Sequence, residues 1–301
     1  MIGLLHRLSI GAIIALSAIL PGFANAQEGY AEPGQIGFQE PVTPIMDSII
    51  AFHDGLLMWI ITIIVLFVLA LMLFIMVRFN RRANPTPSKT THNVFVEIVW
   101  TVAPILILVV IAIPSFGVLA DQMTIPDGTR KYMGSNIFSW GDVEVPAPEL
   151  TIKVTGVQWS WDYEYVDYGE NAAFSSLMLN ETQRGETKPG QPRLLAVDNE
   201  LVVPVNTTVR VQVTAADVIH AFAMPAFGIK TDAVPGRLNE TWFNVRKTGI
   251  YYGQCSELCG KDHAFMPIAV RVVEKDEFKA WMEELQAGDV DSANLKLAAV
   301  N

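Results

Sequence analysis

The sequence has few cysteines, few charged side chains and few positive charges. Only two of its 301 residues are cysteine, and both fall within residues 255–259. This excludes a small domain held together by several disulfides. The chain has 21 basic and 31 acidic residues, and this deficit of positive charge argues against a partner made of nucleic acid. No C-x-x-C-H motif occurs, which excludes an attached c-type haem.

Charge is missing altogether from two long apolar runs, residues 55–77 and 98–120. Each predicts a transmembrane helix, because crossing the hydrocarbon core takes about 20 apolar residues. The intervening loop, 78–97, carries four basic residues before its first acid, Glu97. Positive loops stay in the cytoplasm, so both ends of the mature chain are expected on the opposite side of the membrane.

Residues 1–26 resemble a secretory signal peptide, with a weakly basic start, a short apolar stretch and Ala24-Asn25-Ala26 as a cleavage motif. We expect cleavage before Gln27, which leaves 27–54 as an exported N-terminal segment. The alternative is an uncleaved third transmembrane helix. The short apolar run and the following Pro21-Gly22 disfavour it.

The remainder of the chain predicts an exported β domain over residues 121–285. Alternating β-branched runs such as 150–159, 208–214 and 268–273, separated by turn residues, predict an antiparallel sandwich or a Greek-key barrel. A short helix is expected over 277–285 and a C-terminal tail over 286–301. Residues from 121 onward include 25 acids and 16 bases. This excess favours a cationic partner, although it would also simply keep the domain soluble.

Both cysteines belong to a segment rich in metal-binding side chains. The segment contains Cys255, Glu257, Cys259, His263 and Met266 in the order C-x-E-x-C-x3-H-x2-M, and His220 follows a predicted strand upstream. Two thiolates, two imidazoles and a thioether form a soft ligand set. Such a set selects copper over hard ions, and a methionine ligand is typical of copper electron-transfer sites.

Other interpretations of these residues remain open. A Cys255–Cys259 disulfide suits an oxidising compartment but explains neither histidine nor methionine. Structural zinc on the two cysteines and two histidines leaves Met266 unexplained. His220 alone would be an ordinary core histidine. A single blue-copper site needs one cysteine, so the second thiolate favours a site in which two cysteines bridge two copper ions.

The copper motif, the preceding Asp217-Val-Ile-His220 and the two-span anchor resemble subunit 2 of the bacterial aa3-type cytochrome c oxidases. Residues 96–101, 156–159 and 230–237 match the same family. The resemblance implies a membrane helical hairpin of two transmembrane helices plus an all-β cupredoxin-like Greek-key barrel. It also implies a two-pass protein of the bacterial inner membrane, with both mature termini and the copper domain in the periplasm.

The resemblance also implies a binuclear copper centre, CuA. Cys255 and Cys259 would bridge the two copper ions; His220 and Met266 would complete one, and His263 with the backbone carbonyl of Glu257 the other. The carboxylate of Glu257 would bind a magnesium ion shared with subunit 1, in keeping with the preference of magnesium for oxygen.

Further residues acquire roles from the same family. Trp159 matches the tryptophan through which electrons arrive, although this chain has Ser160 where the family usually has tyrosine. Glu97 matches the mouth of a proton-uptake path. The family docks the lysine-rich face of cytochrome c, and Glu164, Asp198 and Asp217 are the acids expected to receive it.

The function implied is the electron-accepting subunit of a proton-pumping cytochrome c oxidase, assembled with subunits 1 and 3 and surrounded by lipid. Electrons would pass from cytochrome c through CuA to haem a in subunit 1, where oxygen is reduced to water. Quinol oxidase subunit 2 is related but lacks the copper ligands. A membrane-tethered copper-delivery protein would need exchangeable ligands, and nitrous oxide reductase, with a similar motif, lacks the two-span anchor.

Overall fold

The computed structural model describes residues 29–134, 136–137, 141–288 and 290–298. Its first part is a helical hairpin. Helix α1 spans Pro44–Phe52, a π-helical turn spans His53–Leu57, and α2 spans Met58–Arg78. Helix α3 spans Val94–Met123. The continuous helical segment Pro44–Arg78 and helix α3 are each long and apolar enough to cross a membrane. The predicted spans 55–77 and 98–120 lie inside them, and the predicted signal peptide lies outside the described residues.

The second part is a β domain built from two five-stranded sheets. The strands are β1 Lys131–Tyr132, β2 Val143–Glu144, β3 Leu150–Val157, β4 Ser160–Tyr165, β5 Ala173–Ser176, β6 Leu201–Pro204, β7 Thr208–Ala215, β8 His220–Met224, β9 Ile229–Ala233, β10 Asn239–Asn244, β11 Gly249–Cys255 and β12 Pro267–Val273. One sheet has the order β10-β7-β3-β4-β5 and the other has the order β6-β12-β11-β8-β9, while β1 and β2 form a separate pair.

One hydrophobic core fills the space between the two sheets. Alternate residues of β3 and β7 point inward, among them Ile152, Val154 and Val211, and all three are fully buried. This is the period-two alternation that the sequence shows. The predicted all-β domain is confirmed, but the expectation that all its strands pair antiparallel is wrong. The pairs β3–β7 and β6–β12 are parallel, which the alternation could not indicate.

Three further α-helices among the described residues pack around or join the strands. Helix α4 spans Glu181–Thr187, α5 spans Lys275–Gln286, and α6 spans Val290–Ala298. The last helix lies where a tail was expected, so that prediction needs correction. Its Ala293 and Leu297 are one helical turn apart and both are buried. They place α6 against the domain, because residues four apart share one helix face.

The hairpin is joined to the β domain by buried polar contacts at the end of α3. Asp121 is buried, accepts a hydrogen bond from the Met133 backbone N at 2.8 Å and pairs with Arg130. The Trp242 indole donates to the Asp121 carbonyl at 2.9 Å. At the start of the hairpin, Thr43 Oγ1 donates to the Phe227 carbonyl at 2.7 Å. These bonds fix the position of the domain relative to the helices.

Candidate metal centre

Residues 256–266 form a loop, here called the cysteine-rich loop, between β11 and β12 at one end of the second sheet. His220 begins β8, Cys255 ends β11, and the loop returns to β12 just after Met266. The backbone N of Cys255 donates to the Met266 carbonyl at 3.1 Å. This bond closes the base of the loop, and strand pairing places Cys255 beside Phe222 in β8. Residues 35 positions apart in sequence are thereby brought together.

Four of the predicted ligand atoms form a compact cluster. The two Sγ atoms of Cys255 and Cys259 are 3.8 Å apart, so the cysteines are free rather than disulfide-bonded. His220 Nδ1 lies 3.9 Å from Cys255 Sγ, and His263 Nδ1 lies 3.6 Å from Cys259 Sγ. Each sulfur therefore has a histidine nitrogen at a similar distance. His220, Cys255 and Cys259 together have the separation expected of ligands to a metal ion.

The remaining predicted ligands, Met266 and Glu257, lie beside the histidine nitrogens and cysteine sulfurs. Met266 is buried in the same core cluster as both cysteines. The carbonyl oxygen of Glu257 is 3.3 Å from Cys255 Sγ, so this oxygen faces the cysteines. The carboxylate of Glu257 is half exposed and lies 3.9 Å from Lys230 Nζ. The backbone and side chain of Glu257 thus have different surroundings.

Asp217 orients His220. Its Oδ1 lies 2.9 Å from His220 Nε2, and its Oδ2 accepts a hydrogen bond from the Gln158 backbone N at 2.7 Å. In the tautomer that carries its proton on Nε2, His220 donates to this carboxylate and its Nδ1 lone pair faces Cys255. Partial burial would raise the pKa of Asp217. The hydrogen bonds from His220 and the backbone outweigh this effect and hold the pKa below its usual value.

The thiol of Cys259 is protonated at neutral pH when no metal is bound. Burial is the main cause, and the neighbouring Cys255 adds to it, raising the pKa of Cys259 to about 12. A thiolate here needs a cation to stabilise it. A soft metal ion supplies that charge, and its binding displaces the proton.

Three residues around His220 were missed by sequence reasoning. Gly156 lies against the ring, and a Cβ there would be 2.8 Å from His220 Cδ2. Trp161 is fully buried with its ring 6.0 Å from the His220 ring, measured between centroids. Gln158 Nε2 donates to the Cys259 carbonyl at 2.6 Å. Gly156 lies in β3, Gln158 between β3 and β4, and Trp161 in β4. The match of residues 156–159 to the family was the sequence signal for Gly156 and Gln158.

Trp159 lies next to the cysteine loop. A Cβ on Gly260 would be 2.9 Å from Trp159 Cζ2, and Lys261 Nζ lies 5.7 Å from the centroid of the Trp159 ring. Ser160, the unexpected residue, begins β4 and pairs with Val157. The structure therefore brings Trp159 close to Cys259 through Gln158 and Gly260.

The three predicted docking acids all have partners within the chain. Glu164 pairs with Lys153 at 3.0 Å. Asp198 accepts hydrogen bonds from the backbone N atoms of Leu177 and Asn199. Asp217 holds His220, as described above. Only Asp217 is close to the metal-binding loop, so its role extends beyond surface charge.

Glu97 is at the far end of the hairpin from the cysteines. It lies in the first turn of α3, and its Oε1 accepts a hydrogen bond from the Asn93 backbone N at 3.2 Å. Helix α3 has 30 residues, about 45 Å at 1.5 Å per residue. Glu97 therefore caps a helix and takes no part in the candidate metal centre.

Comparison with known proteins agrees with this arrangement over most of the chain. Residues 31–118 match the family model described as the transmembrane domain of cytochrome c oxidase subunit II. Residues 150–273 match the model described as its periplasmic domain. The chain belongs to the cytochrome c oxidase subunit II family.

Known subunits 2 of cytochrome c oxidases are similar to this chain over most of their length. The probable subunit 2 of Rickettsia bellii is 49% identical over 267 residues, covering 89% of this chain and 90% of the relative. Subunit 2 of Cereibacter sphaeroides is 40% identical over 282 residues, covering 89% and 86%. The solved periplasmic domain of subunit II of Bradyrhizobium japonicum is 64% identical and covers 48% of this chain and 97% of that chain, with a TM-score of 0.43.

Membership of the subunit II family establishes the general role of the chain. It is a two-pass membrane protein and a subunit of a cytochrome c oxidase. Its histidine and cysteine cluster is suited to copper.

Proposed function

We propose that this subunit binds two copper ions and relays electrons from cytochrome c to haem a in subunit 1, where oxygen is reduced to water. The observation that carries the proposal is the cluster of donor atoms His220 Nδ1, Cys255 Sγ, Cys259 Sγ and His263 Nδ1. A cluster of two neighbouring sulfurs, each with a histidine nitrogen close to it, suits two metal ions that share both thiolates.

The flanking atoms support the same ligand set. Met266 would complete the copper ion held by His220, and the carbonyl of Glu257 would complete the ion held by His263. When bound, the copper pair would supply one-electron redox chemistry. The chain contributes rigidity: Asp217 holds the His220 ring, and Gly156 leaves it room.

The carboxylate of Glu257 would bind magnesium at the contact with subunit 1. It is half exposed and lies 3.9 Å from Lys230 Nζ. A carboxylate oxygen suits magnesium, while the carbonyl of the same residue faces the cysteines. Glu257 would thus connect the copper pair with the surface covered by the large subunit.

Electrons would arrive at Trp159, which lies beside the loop that holds Cys259. Glu164, Asp198 and Asp217 would attract the lysine-rich face of cytochrome c, the rest of the domain adding to their negative field. The copper domain and both mature ends would lie in the periplasm after cleavage of residues 1–26. This orientation follows from the basic loop within 78–97.

Glu97 would open the proton-uptake path of the complex on the cytoplasmic side, near subunit 1. Subunit 3 and lipid would cover other parts of the hairpin, whose helix α2 has no buried residue of its own. Replacement of Glu97 by glutamine should slow proton-linked turnover without altering the copper signal. Equal turnover in parent and variant would contradict this role.

The decisive experiment is electron paramagnetic resonance of the purified, copper-loaded protein. The proposal expects the hyperfine pattern of one electron shared between two copper nuclei. Gly156→Ala should weaken or reshape that signal, because the new Cβ meets His220 at 2.8 Å. Gly185→Ala is the matched control, since Gly185 lies in α4 with open space around it. The pattern of a single copper nucleus in the parent would overturn the proposal.

Copper delivery is a second candidate for a copper-binding membrane protein, and the burial of the ligands argues against it. His220, both cysteines and Met266 are buried. A delivery protein must surrender its ion, which requires ligands that a partner can reach. Rapid loss of copper to a chelator from the folded protein would favour delivery over electron relay.

A further inference from the structure

A positive charge lies over the residue through which electrons are proposed to arrive. Lys261 Nζ is 5.7 Å from the centroid of the Trp159 ring, within the range of a cation–π interaction. The Lys261 side chain is 79% exposed. Its nearest acid is the adjacent Asp262, at 3.8 Å. The exposed ammonium group is therefore accessible to an approaching protein beside the indole.

The backbone that carries Lys261 is held tightly beside Trp159. Gly260 has a φ of +129°, and a Cβ there would be 2.9 Å from both Gln158 Nε2 and Trp159 Cζ2. Gln158 Nε2 also donates to the Cys259 carbonyl at 2.6 Å. The lysine is therefore attached to a loop segment pinned against the tryptophan, which keeps its charge near the ring.

This charge opposes the overall field of the domain. The residues from 121 onward carry 25 acids and 16 bases, so a cationic protein is attracted from a distance. At contact the nearest charges matter most, because salt screens interactions beyond about 10 Å. The surface thus attracts cations overall and repels them at the point nearest Trp159.

We propose that Lys261 is a specificity-determining residue for the electron donor. This inference rests on the proposed function of the copper site. The preferred donor carries cations around the rim of its contact face and a carboxylate or backbone carbonyl near its haem edge, opposite Lys261. A donor with a lysine at that central point is disfavoured, since like charges in direct contact oppose binding.

The first test measures steady-state turnover of the assembled oxidase with a lysine-rich soluble cytochrome c. Lys261→Met should lower KM about threefold to fivefold at low ionic strength and leave kcat unchanged, as removal of one charge at contact distance predicts. Lys261→Arg keeps the charge and should behave like the parent. Lys279→Met is the matched control, because Lys279 is 71% exposed on α5, pairs with the nearby Asp276 and carries the same charge.

The second test is a double-mutant cycle with the donor. Cytochrome c with one haem-edge lysine replaced by glutamate is compared with the parent cytochrome c. Each is assayed with the parent oxidase and with the Lys261→Met oxidase. With the parent oxidase, which has Lys261, the glutamate variant of cytochrome c should give a higher kcat/KM than the parent cytochrome c. This gain should be at least about twofold larger with the parent oxidase than with the Lys261→Met oxidase. Additive effects, or equal KM values for Lys261→Met and Lys279→Met, would overturn the inference. An absent copper signal or no turnover with any donor would instead refute the proposed function.

Discussion

The β domain and the membrane hairpin accommodate their apolar side chains in opposite ways. The domain packs them against one another between two sheets, and residues such as Ile152 and Val211 are fully buried. Helix α2 buries none, and in α3 burial is confined to Pro114, Val118 and Asp121 near the β domain. The hairpin leaves its apolar surface to lipid and to other subunits, as a segment in a membrane does.

This contrast locates the stability of the chain and the rigidity of its metal centre in one part. The domain can hold His220 and the cysteines in place through its own packing. The hairpin can fix the height of the centre above the membrane only through contacts at the end of α3 and around α1. Substitutions should therefore have large effects in the core of the domain, intermediate effects at the junction and small effects along the spans and at exposed surface positions.

The largest expected effect comes from the core. Ile152→Ala should lower the free energy of unfolding of the domain by about 2–5 kcal/mol, because it removes a fully buried side chain and leaves a cavity. Chemical denaturation followed by tryptophan fluorescence measures this change. Ile63→Ala in α2 is the control, since Ile63 is 63% exposed. A similar loss of domain stability in both variants would remove the contrast between the two regions.

The second effect concerns a buried ion pair. Glu200 is buried and pairs with Lys188 and Arg271. Burial would raise the pKa of Glu200, but the two cations outweigh it and hold the pKa below its usual value. Glu200→Gln should cost about 2 kcal/mol at pH 7, less than a fully buried pair because both cations remain partly solvated. Exposed Glu283 on α5 provides the control substitution.

The pH dependence of the same variant gives a further check. Since the folded pKa of Glu200 lies below its unfolded value, the carboxylate stabilises the fold above about pH 4.5. This contribution disappears as the pH falls through the folded pKa. Parent and Glu200→Gln should therefore approach each other in stability at acid pH. A gap that stays constant down to acid pH would show that packing, rather than charge, causes the loss.

Sequence reasoning succeeded where the signal is local. The uncharged runs predicted the hairpin, and alternation in β3, β7 and β12 predicted the strands. The ligand types predicted a soft-metal site within one loop and His220. Each of these depends on a residue and its near neighbours, or on a match to a known motif.

Sequence reasoning failed where long-range packing decides. The parallel pairing of β3 with β7 depends on the whole sheet, and α6 forms because Ala293 and Leu297 meet the domain surface. Asp217 was predicted only as a surface acid. Its hydrogen bond to His220 requires the turn before β8 to fold back, and the contact of Gly156 with the same ring requires two sheets to meet.

The junction between the two regions should show an intermediate effect. Asp121→Asn weakens the pair with Arg130 and the bond from the Met133 backbone, at a cost of about 1–2 kcal/mol. Limited proteolysis should then cleave more rapidly within residues 124–147, while the copper signal stays unchanged. Asp127→Asn is the control, because Asp127 is an exposed turn residue that bonds only to nearby groups. Equal cleavage of both variants would mean that Asp121 does not hold the junction.

The smallest effect is expected on the outer surface of the domain. Glu164→Gln breaks an exposed pair with Lys153, so stability should change by less than about 1 kcal/mol. If Glu164 also attracts the donor, KM for cytochrome c should rise about twofold at low ionic strength, and the difference should vanish as salt is added. Glu149→Gln, at an exposed pair with Lys275, tests whether any lost acid has this result. The same KM change in both variants would assign the attraction to the net charge of the domain. A KM change confined to Glu164→Gln would indicate that the donor docks on the sheet that contains β4.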